Sequence, residues 1–314
     1  MASKMLYDSA IVVTRKTELD ELVARFATAS QARFYLEHAG RDFASIEAAH
    51  ERYYEALGTI RRVIPRALKT QTLDRALVPQ YLFGETDLVI TIGQDGVVSN
   101  TAKYLTTQPI LAVNPDPAQY DGVLLPFTTD DFDVALDASL SGRAPIKDVT
   151  LALAELSDGQ SLLAFNDFFI GAASHVSARY TITVEGRAEQ QSSSGVIVST
   201  GAGSTGWLQS VYAGAAGIVE ALGGKVIPPP NKGRLAWDEE TLVYSVREPF
   251  PSQVTGTTIV HGKITRRSPL ILASLMGTNG VIFSDGVESD YLAFNHGTTA
   301  RISIAPRKAH LISH

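Results

Sequence analysis

Asp87-Leu-Val-Ile-Thr-Ile-Gly93-Gln94-Asp95-Gly96-Val97-Val98-Ser99-Asn100-Thr101 decides the reading of this chain. It opens as an apolar, β-branched run bounded by turn signals, the pattern of a strand buried in a parallel sheet. It breaks at Gly-Gln-Asp-Gly and resumes as the first turns of a helix. In an open α/β sheet, ligands sit where strand, glycine turn and helix start meet. The helix N-terminus offers unpaired N–H groups that suit phosphate. Asp95 stands alone in that turn. A carboxylate beside phosphate is repelled unless a metal ion or a substrate proton fills the gap, so Asp95 can accept a hydroxyl proton or hold a cation. Asp-Gly is also a common structural turn, and the stretch alone leaves both readings open.

On the N-terminal side, residues 9 to 14 (Ser-Ala-Ile-Val-Val-Thr) read as a first buried strand. Thr17 with Asp20 three residues on reads as a helix cap. Arg33-Phe-Tyr-Leu closes a helical region. From Arg41, Ile46, Tyr53, Leu57, Ile60 and Ile64 fall on one face of a second helix that Pro65 ends. Residues 67 to 83 carry no clear period and read as a loop or short strand. On the C-terminal side, Pro109-Ile-Leu-Ala-Val-Asn114-Pro-Asp116-Pro is another buried strand running into a turn, which completes a βαβ unit. Gly122 to Phe127 closes this part, and residues 129 to 142 read as an acidic helix.

After about residue 145 helical periods give way to short alternating strands, among them Val149 to Leu156, Arg179 to Glu185, Thr241 to Arg247, Leu270 to Leu275, Gly280 to Ser284 and Ala300 to Ala305. One small-residue-rich helix, Thr205 to Leu222, interrupts them, and Pro228-Pro-Pro-Asn-Lys-Gly reads as an exposed rigid loop. The predicted architecture is an α/β domain with a Rossmann-like parallel sheet (1–145) and a β-rich domain (146–314), the C-terminal end returning to the first.

Two further stretches carry chemistry. Ser194-Gly-Val-Ile-Val-Ser-Thr200-Gly201-Ala-Gly203-Ser204-Thr205-Gly206-Trp207-Leu-Gln-Ser210 runs from a buried strand through a hydroxyl- and glycine-rich loop into a helix. Hydroxyls can grip ribose or phosphate without charge, and glycine lets a ligand approach the backbone. Asn166-Asp167 ends an apolar strand and can bond a ribose diol, or simply form a hairpin turn.

Bulk composition narrows the partners. The 314 residues are 45% hydrophobic and 19% charged, with a formal net charge of −6 and a pI near 5.7. That balance argues against nucleic-acid binding by general electrostatics. The absence of cysteine removes disulfides, thiolate metal sites and cysteine nucleophiles. No apolar run reaches membrane-spanning length, and the N-terminal stretch Met1 to Asp8 shows no signal pattern, so a cytoplasmic protein is expected. The seven histidines show no metal-ligand spacing. No Gly-x-Gly-x-x-Gly follows the first strand, which disfavours a dehydrogenase.

Taken together and in order, these motifs resemble the NAD kinases, most closely the divergent mitochondrial-type branch. That family carries Gly-Gly-Asp-Gly-Thr where this chain has Gly93 to Val97, an Asn-x-Asp-Pro turn at Asn114, an Asn-Glu or Asn-Asp pair at Asn166-Asp167, and Ser-Gly-x-x-x-x-Thr-Gly-x-Gly-Ser at Ser194 to Ser204. Ser245-Val-Arg-Glu-Pro249 and Ser284-Asp-Gly286 are similar to the same branch. The resemblance implies two domains with the active site in the cleft between them, and transfer of the ATP γ-phosphoryl group to the adenosine-ribose 2′-hydroxyl of NAD(H). It implies Asp95 as proton acceptor, N–H groups at Gly93, Gly96 and Val97 for donor phosphate, and Asn166, Asp167, Ser194, Thr205, Gly206, Trp207 and Ser210 for NAD. Mg²⁺ would come with ATP, no protein metal ligand is assigned, and a homodimer or homotetramer without membrane partners is implied. The chain departs from the motif at Gln94, where a positive φ would make glycine necessary, and at Val97, which lacks the family's hydroxyl. Those departures motivate the alternatives: a non-catalytic NAD(P)-binding protein of the same fold, or a related kinase with another hydroxyl acceptor.

Overall fold

The computed structural model describes residues 6–314; residues 1–5, part of the N-terminal stretch expected to lack a signal pattern, lie outside the described residues. The chain forms two compact units, one running to Lys147 and including His310–His314, the other spanning Asp148–Ala309.

In the first unit, strands β1 (Ser9–Thr14), β2 (Lys69–Asp74), β3 (Asp87–Ile92), β4 (Pro109–Asn114) and β5 (Phe127–Thr128) alternate with helices α1 (Glu18–Phe26), α2 (Ala29–His38), α3 (Phe43–Val63), α4 (Asp95–Ala102) and α5 (Phe132–Leu140). The strands pair in parallel in the order β2-β1-β3-β4, with β5 also along β4. The chain winds outward from β1 to β2, then crosses to β3 on the opposite side of β1. The winding therefore reverses between β1 and β3, the place where such sheets open a ligand crevice beyond the carboxyl ends of the strands. Every residue of β3 and of β4 is buried, which is why both read as unbroken apolar runs.

Local signals set the helices. Thr17 and Asp20 form a reciprocal capping box on α1. Asp42 caps α3, which buries Ile46, Tyr53, Leu57 and Ile60 and ends before Pro65. Helices α3 and α5 cover one face of the sheet, packing on Leu88, Ile90, Ile92, Leu111 and Val113. The 67–83 segment holds β2 and a 3₁₀ turn at Arg75–Gln80. As an edge strand β2 leaves its first four side chains exposed, so no apolar period marks it.

The second unit contains β6 (Ile146–Leu156), β7 (Ser161–Ala164), β8 (Asp167–Ala172), β9 (Ala178–Val184), β10 (Arg187–Ser193), β11 (Val196–Ser199), β12 (Leu242–Val246), β13 (His261–Ile264), β14 (Leu270–Ser274), β15 (Gly280–Ser284), β16 (Val287–Ala293) and β17 (Thr299–Ile312), with α6 (Trp207–Ala221) inserted after β11. One antiparallel sheet carries β10-β9-β14-β17 with the β6–β7 hairpin, and the other runs β13-β12-β11-β8-β15-β16. Tyr180, Ile182 and Leu272 of the first sheet share a core with Phe168, Ile170, Val198 and Ile282 of the second. Alternation is the cause: in β9 Ala178, Tyr180 and Ile182 are buried while the residues between them are not. Asp285 and Gly286, both at positive φ (54° and 71°), make the tight β15–β16 turn. The last residues of β17, from His310 on, belong to the first unit, where His310 and Leu311 pair in parallel with β4.

Candidate functional site

The Gly-Gln-Asp-Gly turn leaves β3 at the point where the winding reverses. Gly93 has φ of 147°, and a Cβ there would lie 2.9 Å from Val97 Cγ2, so only glycine makes this corner. Its N–H donates to the Val113 carbonyl at 3.3 Å and continues the ladder between β3 and β4. Gln94 is extended, with φ of −102° and ψ of 166°. The strain expected of a side chain at this position is therefore absent. Its exposed side chain makes no capping bond.

Two expected phosphate donors are already engaged. The Gly93 N–H serves the sheet, and the Val97 N–H donates to the Gln94 carbonyl at 2.8 Å, closing the first helical turn. The Val97 side chain is fully buried, so its aliphatic character belongs to the core. The N–H groups of the turn without a partner among the described residues are those of Gln94, Asp95 and Gly96, the helix's first orphan donors. A Cβ on Gly96 would meet nothing within 4 Å, so that backbone is open to approach. Gly96 keeps an open N–H at the turn, while Gly93 and Val97 shape it.

Asp95 is half-buried as the first residue of α4. One carboxylate oxygen, Oδ1, accepts from the Leu124 N–H at 2.9 Å; the other takes no partner among the described residues. The loop bearing Leu124 is itself clamped. Buried Asn114 donates to the Tyr120 carbonyl and accepts from the Asp116 N–H, each at 3.0 Å. Gly122, at φ of 61°, lies where a Cβ would meet Asn114 Nδ2 at 2.6 Å. The Asn-Pro-Asp-Pro turn thus holds the loop that holds Asp95.

In the second unit, Asn166 and Asp167 enter β8 on a turn organised by Asp285. The Asp285 carboxylate accepts from the backbone N–H groups of Phe165 and Asn166 at 3.1 and 2.6 Å. Burial, and next to it the Asp285 charge, push the Asp167 carboxyl up to about 7. The glycine-rich loop sits against this turn. The Thr200 N–H donates to the Asn166 carbonyl at 2.9 Å. The Thr200 hydroxyl donates to the Phe165 carbonyl at 2.5 Å, and Ser204 donates to Gly201 O at 2.7 Å while accepting from the Leu235 N–H.

The loop's inner half is therefore structural. A Cβ on Gly201 would collide with the Ala236 carbonyl, and one on Gly203 with the Asn166 carbonyl. These glycines admit neighbouring backbone rather than a ligand, and the buried hydroxyls are spent on backbone. The outer half differs: Thr205, Gly206 and Ser210 are exposed and Trp207 is half-buried at the start of α6. The Trp207 ring stacks on Phe169 at 6.0 Å and 9°, and the Arg247 guanidinium lies over it at 5.5 Å. Exposed Ser194 joins the same neighbourhood, its N–H donating to the Arg247 carbonyl at 2.9 Å. A cavity of about 610 Å³ opens beside this stack, lined by Phe169, Trp207, Arg247, Phe283 and Tyr291 among others. Asp167 and Phe169, two apart on β8, point to the same face of their sheet.

Asp285, Arg247, Phe169 and the Leu124 N–H touch the candidate site residues without having been assigned from the motifs. Asp285 and Arg247 stood within quoted motifs, but only register brings them to Asn166 and Trp207. Nothing in the sequence marks a backbone N–H 29 residues from its acceptor.

No protein-family model matches the chain. The NAD kinase of Chlorobaculum tepidum is 27% identical over 148 residues, covering 46% of this chain and 47% of that protein. The NAD kinase of Chlorobium phaeobacteroides is 27% identical over 170 residues, 52% of this chain and 54% of its own. The matched region thus spans about half the length of these curated relatives. Among solved structures, yeast NADH kinase complexed with NADH superposes with a TM-score of 0.58 at 16% identity, covering 98% of this chain and 83% of that one. An NAD kinase from Archaeoglobus fulgidus in complex with ATP gives 0.55 at 16%, covering 97% and 93%. The fold is accordingly the two-domain fold of these solved structures, an α/β unit and a β-rich unit. The sequence likeness, at 27% identity over about half of each chain, is likewise to curated NAD kinases.

Proposed function

We propose that this protein is an NAD kinase, transferring the γ-phosphoryl group of ATP to the adenosine-ribose 2′-hydroxyl of NAD(H) to give NADP(H). The observation that carries the reading is Asp95: one oxygen anchored on the Leu124 N–H, the other unpartnered, beside open N–H groups at the sheet's switch point. A ribose hydroxyl is a weak nucleophile at neutral pH. In this reading it donates to the free Asp95 oxygen, which takes its proton as the 2′-oxygen bonds to the γ-phosphorus and the bond to the β–γ bridging oxygen breaks. ADP leaves with the bridging oxygen. The N–H groups of Gln94, Asp95 and Gly96 would hold phosphate oxygens.

For the dinucleotide, Asn166 and Asp167 are the diol contacts. A carboxyl titrating near 7 can donate as well as accept to a diol. Trp207, braced by Phe169 and Arg247, offers a face for a base, with Thr205, Gly206, Ser210 and Ser194 around it. Mg²⁺ would neutralise charge on the donor phosphates. Among the described residues no group of three or more His, Asp or Glu side chains gathers; a metal held mainly by the donor phosphates would fit that arrangement. Ser194, Ser245–Pro249 and Ser284–Gly286 support the mitochondrial-type branch. The non-catalytic alternative rested on Gln94 and Val97; the extended backbone at Gln94 removes the first of those grounds.

The test is NADP formation from NAD, ATP and Mg²⁺ by the native chain and by Asp95→Asn. A carboxamide keeps the bond to Leu124 but cannot take a proton, so kcat should fall about 10²–10⁴-fold with NAD still bound. Absence of NADP from the native protein would overturn the kinase reading; an undiminished D95N enzyme would overturn the role of Asp95.

A further inference from the structure

Arg15 lies at the carboxyl end of β1, immediately across the winding reversal from Gly93. Its side chain runs over the turn: a Cβ on Gly93 would sit 3.2 Å from Arg15 Cδ and 3.3 Å from Nε. The guanidinium is braced from behind, its carbon 5.7 Å from the centre of the Tyr53 ring and Nη2 donating to the Tyr120 hydroxyl at 3.2 Å. Nη1 reaches the Lys16 carbonyl at 3.3 Å. These two long bonds satisfy fewer than half of its N–H groups, and the buried Nε–H has no partner.

Counter-charge is missing as well. Among the described residues no carboxylate lies within ion-pair distance of Arg15, although the chain carries more acid than base. A guanidinium with unused donors, an aromatic brace and no carboxylate is an arrangement that an oxyanion completes. The neighbouring groups favour the same ligand, since the open N–H groups of Gln94, Asp95 and Gly96 begin α4 on the other side of Gly93.

We propose that Arg15 is a phosphate-contacting residue of the donor site, binding the anionic tail of a nucleoside triphosphate together with the N–H groups of the Gly93–Gly96 turn. The proposal rests on the kinase reading for the identity of the donor. It assigns to β1 a charge contact that the turn itself cannot supply, because Val97 has no hydroxyl and the N–H groups of Gly93 and Val97 are engaged.

The experiment compares native, Arg15→Gln and Arg15→Lys proteins by calorimetric binding of ATP, adenosine and NAD, alongside NADP formation and thermal melting. R15Q should weaken ATP binding and raise the KM for ATP about ten-fold or more, the loss expected when a hydrogen-bonded charge is removed. Adenosine and NAD binding and the melting temperature should hold, and R15K should recover part of the loss. Equal ATP affinity in native and R15Q, or a joint loss of adenosine, NAD and melting temperature, would overturn it. If the native protein makes no NADP, the kinase reading fails, while an R15Q-sensitive ATP affinity would still uphold the phosphate contact. If NADP is made and R15Q leaves the KM for ATP unchanged, the proposal fails and the kinase reading stands.

Discussion

At the residue scale, backbone conformation decides which motif positions matter. Gln94 departs from the family's glycine without cost, since its φ of −102° is open to any residue. Gln94→Gly should therefore gain nothing and lose about 0.5–1 kcal/mol through unfolded-chain entropy; a small fall in the urea midpoint checks this, and a rise would contradict it. Asp167 carries a different consequence. Its carboxyl is pushed up to about 7 by burial and by Asp285, so the folded chain keeps a proton that the unfolded chain loses near pH 4. The stability tied to that proton is full below about pH 4 and is lost as pH rises through 7. Unfolding free energy should fall between pH 5 and pH 8 by an amount on the order of 1–4 kcal/mol, lowering the melting temperature, and Asp167→Asn should flatten the fall. An identical pH profile in the variant would refute the assignment.

At the element scale, the strand–turn–helix units were legible because burial on both faces leaves an unbroken apolar run and capping residues mark helix starts. Asp87–Thr101, the Thr17 cap and the Ile46–Ile60 stripe all read correctly for that reason. Strand β2 did not, because an edge strand with exposed side chains has no apolar signature. In the Ser/Gly loop, Gly201 and Gly203 make room for other backbone, which the sequence could not distinguish from room for a ligand. Gly203→Ala should drive a Cβ into the Asn166 carbonyl, lowering stability by about 2–4 kcal/mol and abolishing NAD binding. Gly214→Ala, on α6 with nothing within 4 Å, should instead gain up to about 1 kcal/mol. Thermal melting of the pair checks both, and equal behaviour would show that the loop has slack.

At the scale of the whole molecule, the first unit is discontinuous. Leu311 and Ile312 are buried at 4% and 2% exposure, and His310 and Leu311 pair with β4. Removing residues 310–314 should cost the first unit about 3–6 kcal/mol from those two side chains. Both tryptophans, Trp207 and Trp237, lie in the second unit, and among the described residues five of the six α-helices lie in the first. Far-UV ellipticity should therefore lose its transition at lower urea in the truncated chain, with tryptophan fluorescence moving less; fluorescence moving as far would contradict the assignment of those residues. What the sequence determined alone is whatever follows from local pattern: the buried strands, the capped helices, the glycine-aspartate turn, the change to short alternating strands near residue 145, and the order of motifs that resembles the NAD kinases. What only tertiary structure decided is which polar groups are left over. Whether a glycine admits ligand or backbone, whether a hydroxyl or N–H is already engaged, and that Leu124 anchors Asp95 while Arg15 stands without a carboxylate all depend on partners distant in sequence. Hydrogen-bond satisfaction is a property of the packed chain, and no local pattern of residues encodes it.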